Sequence, residues 1–359
     1  MLHRNIYVKR YAGAGGARAH VVFDPGAKAD VPMLRDALNQ IAGGVQNVDL
    51  VFISHQDPDV TSNVRFLAVN APRAMVICSV DAWRLVNLLG VSDRQFYLIE
   101  NWESDAFLVK ATGHKFVTVP AHYCHFRGSA MVYDPESRVL FSGDVFAGID
   151  TRKGKGIYAN EASWEGISLF HQIYMPSRKA VHETVTRIRA LKPRPAVIAP
   201  QHGDVIRGAL VPEFMARLEA LDVGMDLVRK DDPEKALGLA ALNVFFADFR
   251  AALPGDFESF WAALRSPQDF TMPFRIVDHK IEDMSVSVRS AVAFVSNLFN
   301  GTVAPNHRDK AMLMLAVALE SRGVPVPAYC LQGLGRPDPT ADESPLAQFL
   351  KQTTKPSKT

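Results

Sequence analysis

From Ile6 to about Gly208, short apolar runs alternate with segments of helical period. The apolar runs predict strands at His20–Phe23, Leu50–Ile53, Ala74–Cys78, Lys115–Val119, Ser129–Tyr133, Arg138–Ser142 and Ala196–Ala199. Many of them end at a turn signal or a charged loop, as buried strands do. Between them, Val31–Ile41 sets Leu34, Leu38 and Ile41 on one stripe, and Val181–Leu191 does the same with Val181, Val185, Ile188 and Leu191. This mixture predicts a layered α/β domain over residues 1–209.

After Arg207 the pattern changes. Val211, Phe214, Met215, Leu218, Leu221, Met225 and Val228 recur at helical spacing, and further helices are predicted at Pro233–Leu253, Ser285–Asn300 and Asn306–Arg322. Gly301 and Gly323 suit the C-termini of the last two, and Asn306 suits the start of the last. Residues 210–330 are therefore expected to be mostly helical. Leu237, Leu239, Leu242, Val244, Phe245, Phe246 and Phe249 cover most of one helix's circumference. That helix is expected in the interior or in a subunit interface, and a homo-oligomer is expected. Residues 331–359 turn polar and rich in Pro, Ser, Thr and Lys, which reads as a flexible tail.

Composition narrows the partners. Lys+Arg is 40 and Asp+Glu is 38, a net charge of +2. That balance gives no electrostatic reason to expect nucleic acid or an anionic membrane. Three widely spaced cysteines, Cys78, Cys124 and Cys330, form neither a disulfide framework nor a C-x-x-C pair, which suits a reducing compartment. Met1–Arg10 lacks the apolar stretch of a signal peptide, and the longest fully apolar run, Ala311–Leu319, is too short to span a bilayer. A cytoplasmic protein away from membranes is expected.

The chemistry concentrates at strand ends. Leu50-Val-Phe-Ile-Ser-His-Gln-Asp-Pro-Asp-Val60 runs from an apolar strand into a turn carrying His55, Asp57 and Asp59 at alternate positions. One imidazole and two carboxylates suit a divalent or trivalent metal of intermediate hardness, with an ordinary polar turn as the competing reading. Cys124-His125 precedes a further strand, Val139-Leu-Phe-Ser-Gly-Asp144 ends another, and Val197-Ile-Ala-Pro-Gln-His202 ends a third. Four strand ends that each deliver a His or Asp are hard to explain by packing, because such groups seldom recur there without a shared partner.

This ordered set resembles the metallo-β-lactamase superfamily, whose pattern is H-x-H-x-D-H followed by His, Asp and His. Within it, the chain most resembles the oxygen-binding di-iron domain of flavodiiron proteins, which replaces the second motif His with a carboxylate, as Asp57 does. His55-Gln-Asp-Pro-Asp-Val-Thr-Ser62 keeps the Pro between two acids. Ala71-Pro-Arg-Ala-Met-Val-Ile-Cys-Ser79, His125-Phe with Ser129 and Tyr133, Leu140-Phe-Ser-Gly-Asp144 and Ile198-Ala-Pro-Gln-His202-Gly203 extend the likeness over about residues 20–208. The resemblance implies an αββα sandwich. It implies that His55, Asp57 and His125 bind one metal, that Asp59 and His202 bind a second, and that Asp144 bridges both. It also implies two irons joined by an oxo or hydroxo bridge. Carboxylate-rich ligation leaves manganese as an alternative, and zinc remains one, although an all-imidazole first site would suit zinc better. Two departures stand out. Val60 replaces a His of the pattern and cannot coordinate, and Asp57 is one methylene shorter than the Glu of that branch.

Other residues take second place. His122 lies three residues before His125 and is a pocket candidate, but the 19-residue interval to Asp144 selects His125. Tyr133 is a further pocket candidate. Cys124 is expected as a small buried residue, and His171 and His182 as structural. Asp24-Pro25-Gly26 reads as turn geometry, and Gly13-Ala-Gly15-Gly16 as a hairpin loop rather than a phosphate cradle.

The resemblance implies a di-iron protein that binds dioxygen or nitric oxide, as a sensor or as a reductase. Reducing oxygen to water takes four electrons and two irons store two, so a reductase needs a separate electron-donor protein, and a sensor needs a signalling one. Residues 210–359 show no strand–helix alternation or phosphate loop of a flavodoxin, so no flavin is expected. The competing class is a binuclear zinc or mixed-metal hydrolase of an ester, lactone or phosphodiester. Asp57 and Val60 both oppose it. A non-catalytic interaction module is the third possibility.

Overall fold

A computed structural model describes residues 3–102, 104–149, 156–228, 233–265 and 273–331. Within them the chain forms two compact units that meet in sequence at Val228/Arg229.

The first unit carries two sheets. One contains β1 (Tyr7–Ala12), β2 (Arg18–Phe23), β3 (Leu50–Phe52), β4 (Met75–Cys78) and β5 (Phe96–Leu98) in that order. β1 is antiparallel to β2, and β2 to β5 are parallel. The other contains β6 (Ala106–Val109), β7 (His114–Pro120), β8 (Ala130–Asp134), β9 (Val139–Gly143), β10 (Val197–Pro200) and β11 (Ile206–Arg207), in the order β11-β10-β9-β8-β7-β6. Here only β9 and β10 are parallel.

The alternation of side chains along a strand builds the layers. Val21, Phe23, Phe52 and Ile77 turn inward to meet Phe116, Val132, Phe141 and Ala199 of the second sheet. Phe23 and Phe141 stack with ring centroids 3.7 Å apart. The intervening Val22, Val51, Ile53, Val76 and Cys78 face outward onto Leu34, Leu38, Val64, Leu67, Ala82 and Val86. Those belong to α1 (Val31–Ala42), α3 (Val64–Asn70) and α4 (Val80–Val86), which flank the short α2 (Pro58–Thr61). Strands buried on both faces read as continuous apolar runs, which is why β3 and β4 are so plain in the sequence. On the second sheet, α6 (Arg178–Ala190) packs on β7, and α7 (Leu210–Ala220) packs on α6 and β11. α5 (Ser163–Tyr174) precedes them. The architecture is the expected αββα sandwich.

α7 was expected to open the helical region, but it packs within the first unit. Its helix stops at Ala220, where Leu221 turns extended, and the chain then turns at Gly224, whose φ is +51°. A Cβ there would lie 2.2 Å from the Met175 carbonyl oxygen, so only glycine fits.

The second unit contains α8 (Pro233–Ala252), α9 (Pro254–Arg265), the hairpin β12 (Phe274–Val277) and β13 (Lys280–Met284), α10 (Val288–Thr302) and α11 (Arg308–Glu320). The hairpin departs from the helical expectation. The Asn243 carboxamide fastens it, donating to the Ile281 carbonyl and accepting from the Ile281 N–H, both at 2.9 Å. Phe245, Phe246, Phe249, Phe257, Phe260 and Phe299 are buried together, whereas Leu237 is exposed, so α8 buries one face within its own unit. The polar segment read as a tail, from residue 332 on, lies outside the described residues. Among the described residues no helix is long and apolar enough to cross a membrane.

Candidate metal centre

All six residues named from the sequence converge at one end of the sandwich. β3 runs through Ile53 and Ser54 to His55. The Ser54 N–H donates to Asp24 Oδ1 at 2.8 Å, and Ser54 Oγ lies 2.9 Å from His55 Nδ1, which turns Nε2 toward the cluster. Gly143, at the end of β9 with φ +54°, lets the sheets close here, because a Cβ would sit 2.7 Å from Ser54 Cβ and Oγ. Pro58 opens α2, with Asp57 as its extended N-cap and Asp59 in its first turn. The Pro between the acids therefore has a geometric effect, since it sends the two carboxylates to different neighbours.

Asp57 Oδ2 lies 3.3 Å from His125 Nε2 and 3.9 Å from His55 Nε2. Asp59 Oδ2 lies 3.2 Å from His202 Nε2. Asp144 stands between these groups. Its Oδ2 is 3.1 Å from His125 Nε2 and 3.4 Å from His55 Nε2, while its Oδ1 faces His202 Nε2 at 3.7 Å. His55, Asp57 and His125 each offer a ligand atom within 4.8 Å of the others.

Of the three imidazoles and three carboxylates, His55, Asp144 and His202 are buried, whereas Asp57, Asp59 and His125 are half-buried and face solvent. Burial alone would raise the Asp144 carboxyl, but His55, His125 and His202 outweigh it and hold the group well below the usual carboxylate range. Burial would lower His125, but hydrogen bonds to Asp144 and Asp57 push it up to about 10. His202 is raised against the same burial by Asp59 and Asp144. Behind them, burial lifts Asp24 to about 6. Asp144 Oδ1 is buried with no hydrogen-bond partner among the described residues. An orphaned carboxylate oxygen costs desolvation energy that a cation would offset. His55, Asp57 and His125 form one cation-sized group, and Asp59 and His202 lie on the side of the other Asp144 oxygen, a donor set whose chemistry suits metal cations.

The remaining candidates fall elsewhere. His122 is exposed, with Nδ1 2.9 Å from the Arg127 carbonyl oxygen. Tyr133 does not line the site, contrary to the expectation. Strand alternation places Val132 in the inter-sheet core and Tyr133 on the opposite face, where its hydroxyl donates to the Pro193 carbonyl at 2.7 Å rather than lining the site. Val60 is fully buried in the apolar cluster between the first sheet and its helices, so the departure from the sequence pattern is a packing residue. Cys124 is buried, 3.4 Å from Thr184 Oγ1, and burial pushes its thiol up to about 11. His171 is fully buried. Its Nδ1 donates to the Ile167 carbonyl at 2.8 Å, and its Nε2 accepts from the Phe146 N–H at 3.0 Å, two residues past Asp144.

Sequence reasoning missed Phe170 and Tyr174 of α5. The Phe170 ring centroid lies 5.8 Å from that of His202, and the Tyr174 centroid 5.9 Å from that of His125. Their spacing of four along one helix face was the available signal.

Known proteins share this fold. The ODP family beta lactamase matches residues 6–203. The chain belongs to that family. A solved structure described as a peroxy diiron species of the chemotaxis sensor ODP is 27% identical, with a TM-score of 0.53, and the match covers 63% of this chain and 90% of that one. The apo state of the chemotaxis sensor ODP from T. denticola is 25% identical, with a TM-score of 0.53, over 64% of this chain and 96% of that one. Diflavin flavoprotein A 3 of Synechocystis sp. is 21% identical over 46% of this chain, and the match spans only 28% of that relative's length.

Proposed function

We propose that this member of the ODP family holds an iron pair between its two sheets and uses it to bind dioxygen or nitric oxide, as a sensor or as a reductase fed by a separate electron donor. The observation that carries the reading is Asp144, whose two carboxylate oxygens face two separate imidazole–carboxylate clusters. The likeness to a chemotaxis sensor described in a diiron state supports it. His55, Asp57 and His125 would hold one iron, Asp59 and His202 the other, and Asp144 would span them. When bound, an iron pair supplies open coordination positions and two electrons to a diatomic ligand. Carboxylates supply half of the six side chains, which favours iron over metals that prefer thiolate. Phe170 and Tyr174 shield the α5 side of the imidazoles from water and leave a partly apolar wall suited to a small uncharged ligand.

The experiment is metal analysis of protein made in iron-replete medium, followed by anaerobic addition of nitric oxide to the reduced protein. Two irons per chain and an absorption change with nitric oxide are expected. Asp144→Ala should lose both irons. Unchanged iron content in that variant would overturn the bridging role. Zinc as the retained metal, together with esterase activity, would overturn the iron reading.

A further inference from the structure

The described part of the N-terminal segment reaches the candidate metal centre at His202. Arg4 forms an antiparallel bridge with His202, and the His3 carbonyl oxygen lies 2.9 Å from His202 Nδ1. Asn5 grips the same loop three times. Its backbone N–H donates to the Gln201 carbonyl at 2.6 Å. Its side-chain Nδ2 donates to the Pro200 carbonyl at 3.0 Å and to the Gly203 carbonyl at 2.8 Å, bracketing Gln201-His202 from both ends. Tyr7 adds a hydroxyl donor to Pro200 at 2.8 Å. The segment is anchored by the Arg4 guanidinium, which meets both Asp30 carboxylate oxygens at 3.0 and 3.1 Å.

We infer that Asn5 is a positioning residue for the second metal cluster: by holding the loop on both sides of His202 it keeps His202 Nδ1 on the His3 carbonyl and Nε2 on Asp59 and Asp144. This rests on the two-cation reading above. The chemistry requires a short side chain with two N–H donors, because both partners are carbonyl oxygens. An imidazole that donates Nδ1–H to a carbonyl presents its Nε2 lone pair in a fixed direction, which is the way ligand histidines are oriented and their basicity raised. The first cluster is held from its own strand and helix. His55 is held by Ser54 of its own strand, and Asp57 by the start of α2. The effect of residue 5 should therefore fall on one metal and spare the other.

The test is stepwise calorimetric titration of metal-free full-length protein with Fe(II) under anaerobic conditions, for wild type, Asn5→Ala, Asn5→Asp and Arg4→Gln. Asn5→Asp keeps the shape but turns acceptors toward the two carbonyls, so it should not rescue. The first affinity should stay within about twofold, and the second should fall on the order of 10- to 100-fold, the usual effect of losing a group that orients a ligand. Arg4→Gln, which loosens the Asp30 anchor, should shift the second step in the same direction without altering the first. Thermal unfolding of each metal-free variant separates this outcome from general loosening. Two wild-type steps with an unchanged second step in the Asn5 variants would overturn the positioning role alone. Equal weakening of both steps with earlier unfolding would overturn it as well. Fewer than two steps in the wild type would overturn the two-cation reading and the inference together.

Discussion

His171 gives the sharpest quantitative prediction. It is fully buried and has a donor role at Nδ1 and an acceptor role at Nε2, so the neutral ring satisfies both partners. A proton on Nε2 would oppose the Phe146 N–H and charge a group without solvent. Burial accordingly lowers the ring from 6.5 to about 4. Because the folded value is the lower one, the stabilisation is complete above about 6.5 and is lost as the pH falls toward 4. Each tenfold change in proton activity weighs about 1.4 kcal/mol, so the interval amounts to about 3 kcal/mol. The assay is urea denaturation of metal-free wild type and His171→Gln at intervals from pH 7.5 to 4.5. Glutamine offers a donor to Ile167 and an acceptor to Phe146 but gains no proton in this range. Other groups titrate in both proteins, so the difference between them isolates residue 171. The wild type should lose stability relative to the variant by most of that 3 kcal/mol. A difference independent of pH, or a His171 ring that titrates near 6.5 by NMR, would refute the reasoning.

Two further substitutions test the placement of residues around the centre. Val60→His restores the residue type of the superfamily pattern, but it puts a polar ring into the apolar cluster of Val22 and Val64. It should lower stability by about 1–3 kcal/mol in chemical denaturation, and a gain in metal affinity without loss of stability would contradict the packing. Tyr133→Phe removes only the hydroxyl bond to Pro193. It should cost about 1 kcal/mol and leave metal content unchanged, and a drop in bound metal would put Tyr133 back in the site.

The centre was legible because the ligand-type residues lie beside apolar strands, and strands with two buried faces stand out as unbroken apolar runs. β3, β9 and β10 are of this kind, and His55, Asp144 and His202 follow them within three residues. What was not legible depended on neighbours. β5 and β6 are short, half-buried edge strands whose residues alternate too weakly to declare themselves. α5 is buried over most of its surface, polar Ser168, His171 and Gln172 included, so its apolar period was blurred and its two rings beside the imidazoles did not stand out. Tyr133 failed for a plainer reason. Proximity in sequence to His125 says nothing about which face of β8 a side chain takes, and a single step along a strand reverses it. Asn5 carries no motif at all. Its importance comes from a bridge to residue 202, which only the folded chain supplies.

Asp57 and Asp59 extend from the first sheet, whereas His125, Asp144 and His202 belong to the second. An ion seated among them rivets one layer to the other, so its affinity enters the folding equilibrium directly. At a hundredfold excess over its dissociation constant, one such ion would add about 2.7 kcal/mol. The seam between the layers would then tighten or slacken with cation supply, and protease resistance at that end of the sandwich would track the metal available to the cell.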